Sequence, residues 1–166
     1  AKLGVRYDQV VQSPLYKADA VQLGWHFTQY PTLLDQLPAP GILHPVAYQP
    51  RGHDENYPDF LPPDPAWGTT ADMAAMFREA QARGLLVMPY INPTWWDDES
   101  PTLQNLPPGI TITDTAVLDD HGVPKYENYG PHWGYVMSPR NPLVQQRLAD
   151  LIEEMTQDVP SDLVFE

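Results

Sequence analysis

Two short stretches concentrate the side chains able to do chemistry. The first, Tyr48-Gln49-Pro50-Arg51-Gly52-His53-Asp54-Glu55-Asn56-Tyr57-Pro58-Asp59-Phe60, gathers His53, Asp54, Glu55 and Asp59 among aromatic rings. A carboxylate accepts two hydroxyl donors, and an aromatic face covers the apolar side of a pyranose ring, so this set suits a polyhydroxylated ligand. The bland alternative is a self-bonded polar loop in which Arg51 pairs with a nearby carboxylate. A metal site is the weakest reading, because His53 and Glu55 stand two apart and neither H-E-x-x-H nor EF-hand spacing occurs. The second stretch, Tyr90-Ile91-Asn92-Pro93-Thr94-Trp95-Trp96-Asp97-Asp98-Glu99, sets two adjacent indoles before three acids. In an extended segment neighbouring side chains point to opposite sides. One indole would then pack inward while the other lines a cleft, unless both staple the following loop to the protein wall.

A third candidate is Glu166, which closes the apolar run Asp162-Leu163-Val164-Phe165. Two carboxylates flank the bond in glycoside hydrolysis, about 5–5.5 Å apart in retaining and about 6.5–9.5 Å apart in inverting enzymes. Glu166 is the candidate catalytic acid or nucleophile. The alternative is a supporting group beside a carboxylate encoded further on. His44 lies inside an apolar run and reads as a buried, hydrogen-bonded histidine. His26, His121 and His132 show no ligand spacing. Tyr126, Glu127, Tyr129, His132 and Trp133 would rim a cleft or form one packed hairpin face. No G-x-S-x-G, G-x-G-x-x-G or P-loop occurs, which argues against a serine hydrolase, a dinucleotide enzyme or a nucleotide triphosphatase. No cofactor is expected.

The elements that must hold these residues repeat one order of strand, polar loop and helix. Residues 42–48 and 85–91 are short buried-strand runs, and 162–166 has the same form. Leu3 to Tyr7 and Val10-Val11 are extended candidates. A helical stripe spans Asp19 to Leu37, broken or restarted at Pro31. The clearest helix begins at Thr69 or Thr70, with Asp72 favouring its N-terminus and Gly84 its stop. Met73, Met76, Phe77 and Ala80 share one face. The connection from about 92 to 140 is far longer than an ordinary βα loop. It should carry its own hairpin, with 110–113 and 116–118 extended, a turn at Asp120-His121-Gly122, and 134–137 returning. Asn141 then caps a helix with Pro142 at its first position and a buried stripe from Val144 to Met155. Right-handed crossovers would make the main strands parallel and bring both long loops out at their carboxyl ends, where ligands of such folds bind.

Composition sets outer bounds. The 166 residues suit one domain, and 9 Lys+Arg against 22 Asp+Glu give a formal charge of −13. Such acidity disfavours nucleic acid and anionic membrane surfaces, and suits a neutral or cationic ligand; it also simply aids solubility. No apolar run reaches the roughly 18 residues that span a bilayer. There are 20 prolines and no cysteine. The prolines crowd into connections that read as stiff loops. Without cysteine either redox compartment is compatible, so localisation is left open.

The runs Leu43-His44-Pro45-Val46-Ala47-Tyr48, Gly52 to Pro63, Val87-Met88-Pro89-Tyr90 and Asn92-Pro93-Thr94-Trp95-Trp96 resemble a bacterial family of glycoside-hydrolase-like barrel proteins. The ending Asp162 to Glu166 is similar to that family's fourth barrel strand. In the related α-galactosidase-like barrels, a catalytic Asp stands at the tip of strand four, and here the matching tip is Glu166. The resemblance implies an α/β fold: residues 1–166 as one partial domain, the N-terminal half of a (β/α)8 TIM barrel with a long third βα loop carrying a small hairpin. The chain does not begin with Met and ends on a strand, so further sequence is expected to supply the remainder of the barrel. The implied substrate is an oligo- or polysaccharide, with Tyr48, His53, Asp54, Asp59, Tyr90, Asn92, Trp96 and Asp97 shaping its subsites. A non-catalytic carbohydrate-binding or scaffold protein on the same fold is the alternative.

Overall fold

A computed structural model describes residues 7–163. Helix α1 (Tyr7–Gln12) precedes strand β1 (Leu15–Asp19), and helix α2 (Ala20–Leu23), a 3-10 turn (Phe27–Gln29) and helix α3 (Tyr30–Leu34) lead to β2 (Gly41–Val46). Helix α4 (Thr70–Ala82) then crosses to β3 (Leu85–Val87). The three strands are parallel in the order β1-β2-β3, with Leu15 beside Ile42 and Gly41 beside Leu85. Pairing continues past β3: the N–H groups of Met88 and Tyr90 donate to Leu43 O and Pro45 O, each at 2.9 Å. The strand expected over 85–91 is therefore regular only over Leu85–Val87, with single ladder bonds continuing to Tyr90.

Every residue of β2 is buried, as expected of the middle strand of a parallel sheet covered on both faces. Helix α4 lays Met73, Ala74, Met76, Phe77 and Ala80 against it. A reciprocal cap starts that helix: Asp72 N–H donates to Thr69 Oγ1 (3.1 Å) and Thr69 N–H to Asp72 Oδ2 (2.9 Å). Helix α7 (Pro142–Gln157) is capped by Asn141 and buries Val144, Leu151 and Met155. After it the chain returns beside β3, where the N–H groups of Asp162 and Leu163 both donate to Val87 O. Asp162 Oδ2 in turn accepts from Val87 N–H at 2.8 Å.

The long connection after β3 builds a second sheet. Strand β4 (Trp95–Asp97) leads through helices α5 (Pro101–Gln104) and α6 (Ile112–Thr115) to β5 (Tyr126–Tyr129) and β6 (His132–Val136). The order is β4-β6-β5, all antiparallel. Trp95 and Trp96 do point to opposite sides. Trp95 joins the main core, whereas Trp96 joins a second one with Ala116, Met137 and Val144. Gly134 permits this approach, since a β-carbon there would lie 2.3 Å from Trp96 O and 2.6 Å from the Trp95 ring.

Several local expectations are corrected. Val10 and Val11 lie in α1, not in an extended piece, while Leu3 to Arg6 fall outside the described residues. The first strand is instead Leu15–Asp19, hidden in the sequence by Lys17 and by its partly exposed edge. The helix expected over 19–37 is three short pieces. Gly24 (φ 61°) ends α2, and His26 caps the 3-10 turn; Pro31 sits in the first turn of α3, where its missing N–H costs nothing. Residues 112–115 are helical because Asp114 accepts from the N–H and hydroxyl of Thr111 and closes a turn. The turn at Asp120-His121-Gly122 is present. Each observed sheet has three strands, so the described residues are not a closed barrel.

Replacing Gly134 by alanine should cost about 1–3 kcal/mol, the usual penalty for overfilling a packed site. A urea midpoint equal to wild type would contradict the close approach of β4 and β6.

Candidate functional site

The carboxyl ends of β2 and β3 open onto a loop of unusual backbone. Ala47, Arg51, Asp54 and Asn56 all have φ between 56° and 69°, a region costly for residues with a β-carbon. Strain of this kind persists where surrounding contacts over-determine it, and it clusters at functional sites. Here the contacts are identifiable. Gln49 is fully buried and its Nε2–H donates to Gly52 O at 2.5 Å. Asp54 N–H donates to Tyr57 Oη at 2.9 Å, and Asn56 N–H to Asp97 Oδ2 at 2.6 Å.

This loop faces a half-buried Tyr90. The His53 ring lies 5.0 Å from the Tyr90 ring, Tyr57 lies 6.1 Å away, and His44 meets it edge-on at 6.4 Å. His53 Nε2 is 3.7 Å from Asp54 Oδ1, and His53 Nδ1 is 3.5 Å from Tyr57 Oη. Burial raises the Tyr90 pKa first, and the Asp54 charge adds to it, while hydrogen bonds from Asn92 and Tyr57 oppose the rise. Asn92 Oδ1 also accepts from the N–H groups of Thr94 and Trp95 at 3.3 and 3.2 Å, which turns the chain into β4. Tyr90, His53, Asp54 and Asn92 therefore form one group of hydroxyl, imidazole, carboxylate and amide at the strand ends.

His44 stands beneath them as the sequence suggests, buried and hydrogen-bonded: its Nδ1–H donates to Met88 O at 2.6 Å. Burial is the main cause holding its pKa below 6.5, with the Lys17 and His53 charges adding and the Met88 bond opposing. The neutral ring is favoured at pH 7.

The remaining expected residues lie elsewhere. Tyr48 is buried in the main core, its hydroxyl donating to Tyr90 O at 2.8 Å, so it supports the group from below. Trp96 is fully buried and its Nε1–H donates to Pro93 O, which corrects the expectation that it lines a cleft. Asp59 is turned toward α5 and α7, accepting from Thr102 N–H (2.8 Å) and hydroxyl (2.5 Å) and lying 3.5 Å from Arg147 Nη2. Asp97 is buried, and Arg51 Nη2 donates to its Oδ2. The same guanidinium reaches Glu99, and its Nε lies 2.8 Å from Glu55 Oε2. Sequence reasoning thus anticipated the pairing of Arg51 with a carboxylate but not its three partners. Glu166 lies outside the described residues. Among the described residues no group of three His, Cys, Asp or Glu could hold a metal ion, and no helix is long and apolar enough to cross a membrane.

Comparison with solved structures defines the fold as that of glycoside-hydrolase TIM barrels over part of their length. The chain is similar to an α-N-acetylgalactosaminidase from Bifidobacterium bifidum, complexed with Gal-NHAc-DNJ (TM-score 0.68, 15% identity), covering 88% of this chain and 25% of that one. It is also similar to an α-galactosidase from Thermus thermophilus, complexed with p-nitrophenyl α-D-galactopyranoside (TM-score 0.67, 17% identity; 92% of this chain, 30% of that). A maltogenic α-amylase from Thermotoga neapolitana matches at TM-score 0.66 and 12% identity, covering 92% and 38%. The chain therefore spans between a quarter and two fifths of these relatives. No curated protein matches it. Its family is nonetheless defined: residues 25–165 match the profile described as a domain of unknown function, DUF6259, and the chain belongs to that family.

Two outcomes are expected. The C2 proton of His44 should titrate below pH 6.5 by NMR. Because the folded pKa is depressed, its contribution to stability is present above 6.5 and is lost as pH falls through the folded value. A midpoint above 6.5 would contradict its burial. Arg51→Met should lower unfolding free energy by about 2 kcal/mol, less than the 3–5 of a fully buried pair because the guanidinium is partly exposed. Loss of this size in a chemical melt would be relieved in part by Asp97→Asn; no relief would place the cost elsewhere.

Proposed function

We propose that this chain supplies the sugar-binding strand ends of a glycoside-hydrolase-type barrel acting on an oligo- or polysaccharide. One observation carries the reading: Tyr90, His53, Asp54 and Asn92 converge at the carboxyl ends of parallel strands, the position where parallel α/β folds bind ligands. Asp54 and Asn92 would accept from and donate to sugar hydroxyls, and the His53 and Tyr90 rings would cover the apolar face of the pyranose. Tyr48 and His44 position Tyr90 from beneath. The α-linked sugars named with the similar structures suggest α-glycosides.

Hydrolysis needs a carboxylic acid to protonate the leaving oxygen and a carboxylate to attack the anomeric carbon or activate water. Glu166, which lies outside the described residues, is the proposed catalytic carboxylate, on the resemblance of residues 162–166 to a fourth barrel strand. The second acid, and the strands that close the barrel, would come from further sequence. A non-catalytic carbohydrate-binding role has one observation in its favour: with Asp59 bound to Thr102 and Asp97 to Arg51, Asp54 is, among the described residues of the two loops, the carboxylate left beside Tyr90. A lone carboxylate binds a hydroxyl but cannot divide acid and nucleophile roles.

Methyl α-D-galactopyranoside and maltotriose, titrated against the chain with amide shifts followed by NMR, should perturb residues 53–54 and 90–92. Asp54→Ala should weaken binding about tenfold, the value of one charged hydrogen bond. Shifts confined to other surfaces would refute the site. If a protein carrying this chain together with the rest of the barrel cleaves p-nitrophenyl α-D-galactopyranoside and Glu166→Gln abolishes cleavage while sparing binding, the hydrolase reading stands. Binding without cleavage by that completed barrel would favour the non-catalytic one.

A further inference from the structure

A cavity of about 370 Å³ lies between the strained loop and the second sheet, lined by Arg51, Glu55, Asp97, Asp98, Glu99 and the 131–133 turn. Its volume is within the usual range for small-molecule sites, about 300–1,000 Å³. Trp133 forms one wall and remains 46% exposed, an unusual state for so large an apolar ring. It is nevertheless held in place. The Tyr126 ring stacks on it at 5.1 Å and 25° from parallel, and Asp98 N–H donates to Trp133 O at 3.1 Å. Tyr126 is itself anchored, its hydroxyl donating to Asp98, a bond that pushes its pKa up to about 12.

The lining selects by charge. Four carboxylates (Glu55, Asp97, Asp98, Glu99) repel an anion, and the Arg51 guanidinium ion-paired among Glu55, Asp97 and Glu99 takes up much of the pull on a cation. The exposed, fixed indole beside acceptor oxygens suits a neutral ligand rich in hydroxyl donors with an apolar face to lie on the ring. We infer that this cavity is a second saccharide subsite, with Trp133 as its stacking platform. The inference rests on the carbohydrate reading of the strand-end group and extends it: residues 53 and 54 of one loop face Tyr90, and residues 51 and 55 of the same loop face the cavity. A glycan of several residues could cross that loop and occupy both, whereas a single sugar needs only the first. An indole already locked in its bound orientation loses little freedom on binding, which favours such a role.

The test is an affinity ladder on the full chain by calorimetry: methyl α-D-galactopyranoside and stachyose, then methyl α-D-glucopyranoside and maltopentaose. For the series that binds, Trp133→Ala should leave the monosaccharide affinity unchanged and weaken the oligosaccharide about tenfold, and Trp133→Phe should recover most of the loss. Thermal midpoints and circular dichroism of both variants should match wild type, since the ring is a surface group. Equal oligosaccharide affinity in wild type and Trp133→Ala overturns the subsite while leaving the strand-end site intact. A Trp133→Ala loss that Trp133→Phe does not recover, or one equally large for the monosaccharide, also overturns it. Absence of binding in both series overturns the carbohydrate reading and this inference with it.

Discussion

Arg51 extends from a residue in the left-handed backbone region, and its guanidinium meets Glu55, Asp97 and Glu99. Two segments 46 residues apart in sequence are joined by that one group. Asp97 is buried, and a buried carboxylate without donors is costly enough to reorganise its surroundings. Arg51 and the N–H groups of Asn56 (2.6 Å) and Glu99 (3.0 Å) supply those donors. The loop between Tyr48 and Phe60 is therefore shaped from both sides: Gln49 and Tyr57 hold it to the core, and Asp97 draws it toward the second sheet. Its left-handed residues are sustained by these bonds, and the same bonds decide that His53 and Asp54 turn to Tyr90.

The second sheet depends on this arrangement and returns the support. With Trp95 in the main core and Trp96 in the second, a three-residue strand anchors both hydrophobic clusters, and Asp97 follows directly with its carboxylate on the Arg51 side. Tyr57 meets Trp95 edge-on at 6.0 Å, so the loop and the strand also share aromatic packing. Asp59 extends the linkage to α5 through Thr102 and to α7 through Arg147, which also donates to Pro58 O at 3.0 Å. The prolines, charges and rings that look like a disordered composition are thus the material of a stiff connection.

Much of the framework was legible because it follows local rules. The Thr69–Asp72 cap, the methionine stripe of α4, the Asn141-Pro142 start of α7 and the unbroken apolar run of β2 each state their structure within a few residues. Strand β1 was not legible, since Lys17 and an exposed edge leave no clean alternation. Residues 19–37 carry a helical stripe, but Asp19 and His26 both act as caps, so the stripe divides. For the site, the sequence located the two loops and the opposite directions of Trp95 and Trp96. It could not distribute five acids among long-range partners. Asp97 with Arg51 and Asp59 with Thr102 are contacts across more than 40 residues, and nothing near either acid announces them. Trp133 was visible only as one of several rings.

The strong acidity of the chain acquires a local meaning from this distribution. Uniform negative charge would only aid solubility and repel anions. Around the loop the acids are instead divided by role. Asp97 and Asp59 are committed to fixing the backbone, Glu55 shares the Arg51 guanidinium with Asp97 and lies 2.7 Å from His132 Nδ1, and Asp54 stands beside His53 and Tyr57. Asp97, buried and supplied by Arg51 and two backbone N–H groups, has little capacity left for a ligand, whereas a carboxylate with fewer donors, such as Asp54, keeps acceptor sites for hydroxyls. The negative charge that holds the loop in place and the carboxylate offered at the strand ends are thus different atoms. That separation allows the loop to be rigid while one acid on it stays available.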